Sequence, residues 1–180
     1  EMCIRDRYLT ENADHVIIQT PYVICNGYMY DVLQGISDHA KLQIVLNAVE
    51  KGSNPWGCTD YLNQKKKILE TGADVYELMN DYPVHTKAVL INDRLSVVGS
   101  YNLDMRSTYL DTELMLVIDS EKLSQQIHET ESDYMEKSKE VLANGQETEG
   151  AKYQGKVLNR KKKLYYGVLR IIIRPLRQLL

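Results

Sequence analysis

The sequence has no apolar run long enough to cross a bilayer, and its beginning lacks the basic segment and apolar stretch of a secretory signal. Cysteine is scarce. Cys3, Cys25 and Cys58 make an odd number, and none stands at a metal-ligand spacing from another. This excludes a disulfide framework and a cysteine-held metal, and makes a reducing interior the expected compartment. Acidic residues are missing altogether past Glu149, where nine of the 22 basic residues lie. The first 149 residues therefore set 13 basic residues against all 25 acids, a balance of −12 that the overall −3 conceals. An acidic body carries a cationic tail. With 180 residues, 43% of them hydrophobic, the chain is long enough to bury a core.

Periodicity sets the expected elements. HVIIQT (15–20) is a short apolar run ended by Pro21, NGYMYDVLQGISDH (26–39) has helical spacing, and KLQIVLN (41–47) reads as a second strand. TDYLNQKKKILETG predicts a helix with Thr59 as N-cap and Gly72 as its stop. ADVYEL (73–78) is a third strand, HTKAVLI and RLSVVG form a hairpin turning at Asn92-Asp93, and TELMLVID (112–119) is the last strand expected. Helical periodicity runs from Ser120 to about Ala143, residues 144–155 read as a linker, and 156–180 form the basic tail. The predicted fold class is α/β, a mixed β-sheet flanked by helices. Residues 1–7, EMCIRDR, resemble translated sequencing adapter and are expected to be foreign to the protein, with an N-terminal portion missing.

The segment YPVHTKAVLINDRLSVVGSYN places ionisable groups where a core strand is expected to begin. Alternate residues of a strand share a face, so His85 and Lys87 project together, and Ser100 and Asn102 repeat that spacing after the hairpin returns. Imidazole is a nucleophile or proton carrier near neutral pH, lysine offers a positive charge to a phosphate, and serine and asparagine can bond its oxygens. Such a set suits phosphoryl transfer through a histidine.

The pattern His85-x-Lys87, four residues to Asn92, then Gly99-Ser100-x-Asn102 resembles the HxKxxxxD…GSxN signature of the phospholipase D superfamily. YNLDMRSTYLDTELMLVID and QTPYVIC are similar to segments of its bacterial cardiolipin synthase branch, and the resemblance spans roughly residues 8–143. It implies a phospholipase D-like catalytic domain, one of two pseudo-symmetric halves, needing no metal or other cofactor. It implies that His85 attacks a phosphodiester or protonates its leaving alcohol. Lys87 and Asn102 then hold the phosphate oxygens with support from Ser100, and Glu113 orients the histidine. Where the family has aspartate this chain has Asn92, with Asp93 one position late. Asparagine and aspartate both accept backbone hydrogen bonds in a tight turn, so a structural role there is the expectation.

Only one complete signature occurs, so the site is expected to be completed by a missing N-terminal half or by a second chain. His15, His39 and His128 are read as surface or packing residues. In the tail, a helix would align Leu169, Ile172, Ile173 and Leu176 on one stripe beside regularly placed cations, too short and charged to span a bilayer but suited to its surface. Peripheral attachment at the cytoplasmic face of a bacterial membrane follows. Nucleic acid is disfavoured because the cations are not set among stacking aromatic platforms. The expected reaction is phosphatidyl transfer on phosphatidylglycerol or a similar phospholipid, as in a cardiolipin synthase. Its alternatives are a phosphodiesterase or nuclease of the same superfamily and an inactive half-domain.

Overall fold

A computed structural model describes residues 9–180, so the expectation for residues 1–7 lies outside the described residues. Ten strands form two sheets among the described residues: an eight-stranded mixed sheet in the order β10-β9-β4-β3-β1-β5-β6-β8, with β9 (Ser138–Val141) and β10 (Glu147–Glu149) at one edge, and a two-stranded sheet in which β2 (Val23–Ile24) lies parallel to β7 (Leu103–Asp104). Its centre is parallel: β1 (His15–Gln19), β3 (Lys41–Asn47) and β4 (Asp74–Leu78) are joined through α1 (Gly27–Ser37) and α2 (Pro55–Glu70). These strands are buried along almost their whole length, the signature of strands covered on both faces. β5 (Ala88–Ile91) lies antiparallel to β1, then β6 (Leu95–Gly99) and β8 (Met115–Asp119) extend that side.

One face of the sheet packs Val16, Ile44, Val75 and Val97 against Met29, Leu33 and Ile36 of α1 and Ile68 of α2. The other carries a smaller cluster, Ile17, Val45, Tyr76 and Leu90, under Ile127, Tyr134 and Met135 of α4 (Glu121–Glu136). Local signals explain the helix starts. Asn26 caps α1 by accepting from the Met29 N–H at 3.0 Å. Asn54 caps α2, accepting from the N–H groups of Trp56 and Gly57, with Pro55 opening the first turn. Thr59 is therefore not the N-cap that periodicity points to. It is fully buried inside α2, because the helix begins a full turn earlier within the polar loop. Gly72 does end the unit, at φ 89°.

Two more differences come from non-local pairing. The helix expected to reach Ala143 stops at Glu136, and Ser138–Val141 form β9, antiparallel to β4. Residues 144–150, expected as linker, supply a turn with Gly145 at φ 83° and the strand β10 (Glu147–Glu149), so TELMLVID is not the last strand. Short polar strands such as SKEV and ETE carry too little apolar alternation to announce themselves.

Glu131 of α4 is 1% exposed and its Oε2 has no partner among the described residues. Burial pushes its carboxyl pKa up to about 8. A carboxyl with a folded-state pKa above its unfolded one stabilises fully only below the unfolded value, near 4.5, and that stability drains away as pH rises through about 8. Glu131→Gln is expected to raise the melting temperature at pH 8, worth roughly 4 kcal/mol, and to change nothing at pH 4. Thermal melts across pH check this, and an equal gain at both pH values would refute it.

Candidate active site

The site gathers at the carboxyl ends of the parallel strands, where open α/β sheets leave their crevices. β5 starts there because Ala88 pairs with Gln19, the last residue of β1. His85 and Lys87 lie just ahead of β5 rather than within it, so strand alternation does not hold them. The buried Asn47, at the end of β3, does: its Oδ1 accepts from the Val84 N–H at 2.8 Å, and its Nδ2 donates to the carbonyls of Val84 at 2.8 Å and Pro21 at 3.1 Å. The sequence reading missed Asn47, whose only local signal is an amide at the end of an apolar strand.

His85, Thr86, Lys87, Gly99, Ser100 and Asn102 line one open pocket, so four of the expected polar groups converge. His85 is exposed, whereas Lys87 is 8% exposed. The Lys87 ammonium donates to the His85 carbonyl at 2.8 Å and lies 2.6 Å from its Nδ1. Partial desolvation, then the charge of Lys87, lowers the pKa of His85 and favours the neutral imidazole that a nucleophile requires. Burial also lowers the pKa of Lys87, against the upward pull of Glu113 and Asp104.

Gly99 lies so close to β8 that a Cβ would run into the carbonyl of Leu114. Ser100 follows, its N–H donating to Leu114 O at 3.0 Å and its hydroxyl to the Glu113 carboxylate. Glu113 is thus hydrogen-bonded to Ser100, not to His85, whose Nδ1 faces Lys87. The cause is register: beyond the Gly99–Met115 pair Ser100 faces Leu114, which puts Glu113, the neighbour of Leu114, within reach of the Ser100 hydroxyl. Asn102 donates from Nδ2 to Ser107 Oγ at 3.4 Å, and its Oδ1 is buried without a partner among the described residues. Asp104, also missed, is buried under the site. It caps the short helix α3 (Met105–Tyr109), accepting from the Ser107 N–H at 2.6 Å, and burial raises its pKa.

Asn92 and Asp93 are not at the pocket. They occupy the far end of the hairpin, separated from Lys87 by the four residues of β5, about 13 Å of strand. Asn92 has φ 51°, and its Oδ1 accepts from the N–H groups of Asp14 at 3.0 Å and His15 at 3.1 Å. Asn92→Asp is expected to keep these bonds and leave turnover unchanged, while Asn92→Ala should cost about 2 kcal/mol of stability. Denaturant melts and an activity assay test the pair, and a large gain in turnover for Asn92→Asp would overturn the structural role. His39 and Lys41 repeat the His-x-Lys spacing, a point that the sequence reading overlooked. His39 Nε2 is engaged with the carbonyl of Thr10 at 2.8 Å, and no Gly-Ser-x-Asn stands between this pair and His85. Among the described residues no cluster of three or more His, Cys, Asp or Glu could hold a metal ion.

Residues 7–133 match the family described as "Cardiolipin synthase, PLD-like domain". Cardiolipin synthase A of Proteus mirabilis (strain HI4320) is 30% identical over 150 residues, covering 81% of this chain and 29% of the relative. The Serratia proteamaculans (strain 568) counterpart is 28% identical over 152 residues, covering 82% and 29%. The chain thus spans under a third of the length of these relatives. Among solved structures, phosphatidylserine synthase of Haemophilus influenzae Rd KW20 superposes with a TM-score of 0.68 at 16% identity, over 96% of this chain and 43% of that one. The phospholipase D family member Nuc of Salmonella typhimurium gives 0.62 at 15% identity, over 76% and 88%.

Proposed function

This chain belongs to the cardiolipin synthase, phospholipase D-like domain family, a family of enzymes acting on phospholipids, and from that premise we propose that it carries half of an active site for phosphatidyl transfer. The observation that carries the reading is the convergence of His85, Lys87, Ser100 and Asn102 on one pocket. A neutral nitrogen of His85 attacks the phosphorus of a phospholipid phosphodiester, such as phosphatidylglycerol. A P–N bond forms, the P–O bond to the leaving alcohol breaks, and the alcohol takes a proton from an acid supplied by the completing half. Lys87 neutralises the charge that gathers on the phosphoryl oxygens, and Asn102 and Ser100 border them. An acceptor hydroxyl then gives its proton to that same group of the completing half as its oxygen attacks phosphorus, the P–N bond breaks to return neutral His85, and the phosphatidyl group passes to the acceptor, giving cardiolipin when that acceptor is a second phosphatidylglycerol.

The second set of groups comes from a preceding half or from another copy of the chain, since the described residues contain one such pocket with a complete signature. Residues 156–180 attach the enzyme to the cytoplasmic face of the membrane: no described helix is long and apolar enough to cross it, and the tail is cationic throughout. The test is incubation of the full-length protein with labelled phosphatidylglycerol, alone and with phosphatidylethanolamine. Labelled cardiolipin supports transfer, phosphatidic acid alone would assign water as the acceptor and a phosphodiesterase activity, and no product would end the reading.

A further inference from the structure

We infer that residues 174–180 form a strut that locks a bilayer-binding face of the C-terminal helix to the rim of the catalytic pocket, so that Tyr109 and Leu110 dock on an anionic membrane together with the tail. The membrane as partner rests on the lipid reading above. The geometry of the strut does not.

The helix α5 (Arg160–Ile172) is apolar on two sides. Its inner side buries Leu169, with Ile173 following, and the helix packs on α2, where Arg170 donates to Asn63 Oδ1 at 3.0 Å. Leu169 and Ile173 of the stripe expected to meet the membrane are therefore consumed by the protein's own core. The outer side is different. Leu164, Val168 and Ile171, stepping by four and three residues, are 71%, 49% and 70% exposed, with Tyr165 and Ile172 beside them. Exposed Arg160, Lys161, Lys163 and Arg174 flank them, and the whole tail has no acid. Aliphatic side chains ringed by cations match the boundary between acyl chains and anionic headgroups, each cation near such a surface adding about 1 kcal/mol.

Pro175 follows the end of α5, and the 3₁₀ turn Arg174–Leu179 turns back onto α3, where the Arg106 N–H donates to Leu180 O at 2.9 Å. Arg177 forks onto Asp60 of α2, Nε to Oδ2 at 2.6 Å and Nη2 to Oδ1 at 2.9 Å. Asp60 is fully buried, so releasing Arg177 would strand a charge in the interior. Exposed Leu176 and Leu179 on the turn lead from α5 to Tyr109 and Leu110, 54% and 61% exposed at the end of α3. The same short helix carries Ser107, the partner of Asn102 at the pocket. The outer face and the rim are thereby held in one register.

The experiment uses tryptophan as a depth probe. Trp56, the single tryptophan, is replaced by tyrosine, and Ile171→Trp or Leu110→Trp is introduced. Vesicles of phosphatidylserine with phosphatidylcholine are expected to shift both emissions to shorter wavelength, and phosphatidylcholine vesicles to shift neither. Adding Arg177→Ala, or the milder Arg177→Lys, should abolish the Leu110→Trp shift and preserve that of Ile171→Trp. An unshifted Leu110→Trp in the parent would overturn the shared surface, and an equal response in the Arg177 variants would overturn the strut. A shift that appears without vesicles and grows with protein concentration would assign the face to a second copy of the chain and overturn the membrane partner. Adding His85→Ala should change none of these shifts, which separates failure of docking from failure of the catalytic reading.

Discussion

His85→Ala is expected to lower phosphatidyl transfer by at least roughly a thousandfold while leaving the melting temperature where it is. In the proposed mechanism His85 forms the covalent intermediate, so its removal takes away the reaction path rather than one stabilising contact, and losses of that order are the rule for nucleophiles. The fold has little stake in the imidazole. It is exposed, and its one side-chain partner among the described residues, Lys87, keeps the main-chain oxygen of residue 85 as an acceptor at 2.8 Å. The measurement is cardiolipin formation from labelled phosphatidylglycerol beside a thermal melt of the same preparation. Unchanged cardiolipin formation would end the phosphohistidine mechanism, and a collapsed melting curve would contradict the peripheral placement of the ring.

Lys87→Met should cut turnover by roughly a hundredfold or more, because one fixed positive charge in a partly desolvated site is removed from the developing phosphoryl charge. It should also move the titration of His85 in a defined direction. The His85 pKa is held down first by desolvation and then by the Lys87 charge. Methionine keeps the first cause and removes the second, so the imidazole pKa should rise and the acid limb of any pH–rate profile should move to higher pH with it. Proton NMR of the His85 ring in the isolated chain measures this without needing a completed site. A His85 pKa equal to or below that of the parent would show that Lys87 does not set it, whatever happened to turnover.

Both predictions concern residues that were legible because their chemistry is local. His85, Lys87, Ser100 and Asn102 stand at short spacings within eighteen residues, and a hairpin returning on itself is a short-range event. The parallel centre of the sheet was legible for the same reason, since β1, α1, β3, α2 and β4 each bury an apolar run or stripe with its own period. The residues that hold the site in place were not. Asn47 fixes the main chain at Val84 from 37 positions away, and Asp60 meets Arg177 across 117. Nothing in the residues around either amide or carboxylate distinguishes it from a surface polar group, because the partner is defined only once the chain has closed.

The tail makes the division clearest. Sequence by itself determined that the C-terminal residues are cationic and amphipathic, that the chain bears one phospholipase D signature, and that its core is a mixed sheet flanked by helices. These follow from composition, period and spacing, quantities that any window of the chain contains. Tertiary structure alone decided which apolar side of α5 faces the protein, that Glu113 meets Ser100 rather than His85, and that Asn92 serves the hairpin end about 13 Å from the pocket. An amphipathic period says that one side of a helix must be covered. Which surface covers it, and which hydrogen-bond acceptor wins a given donor, depends on distances that exist only in the folded chain.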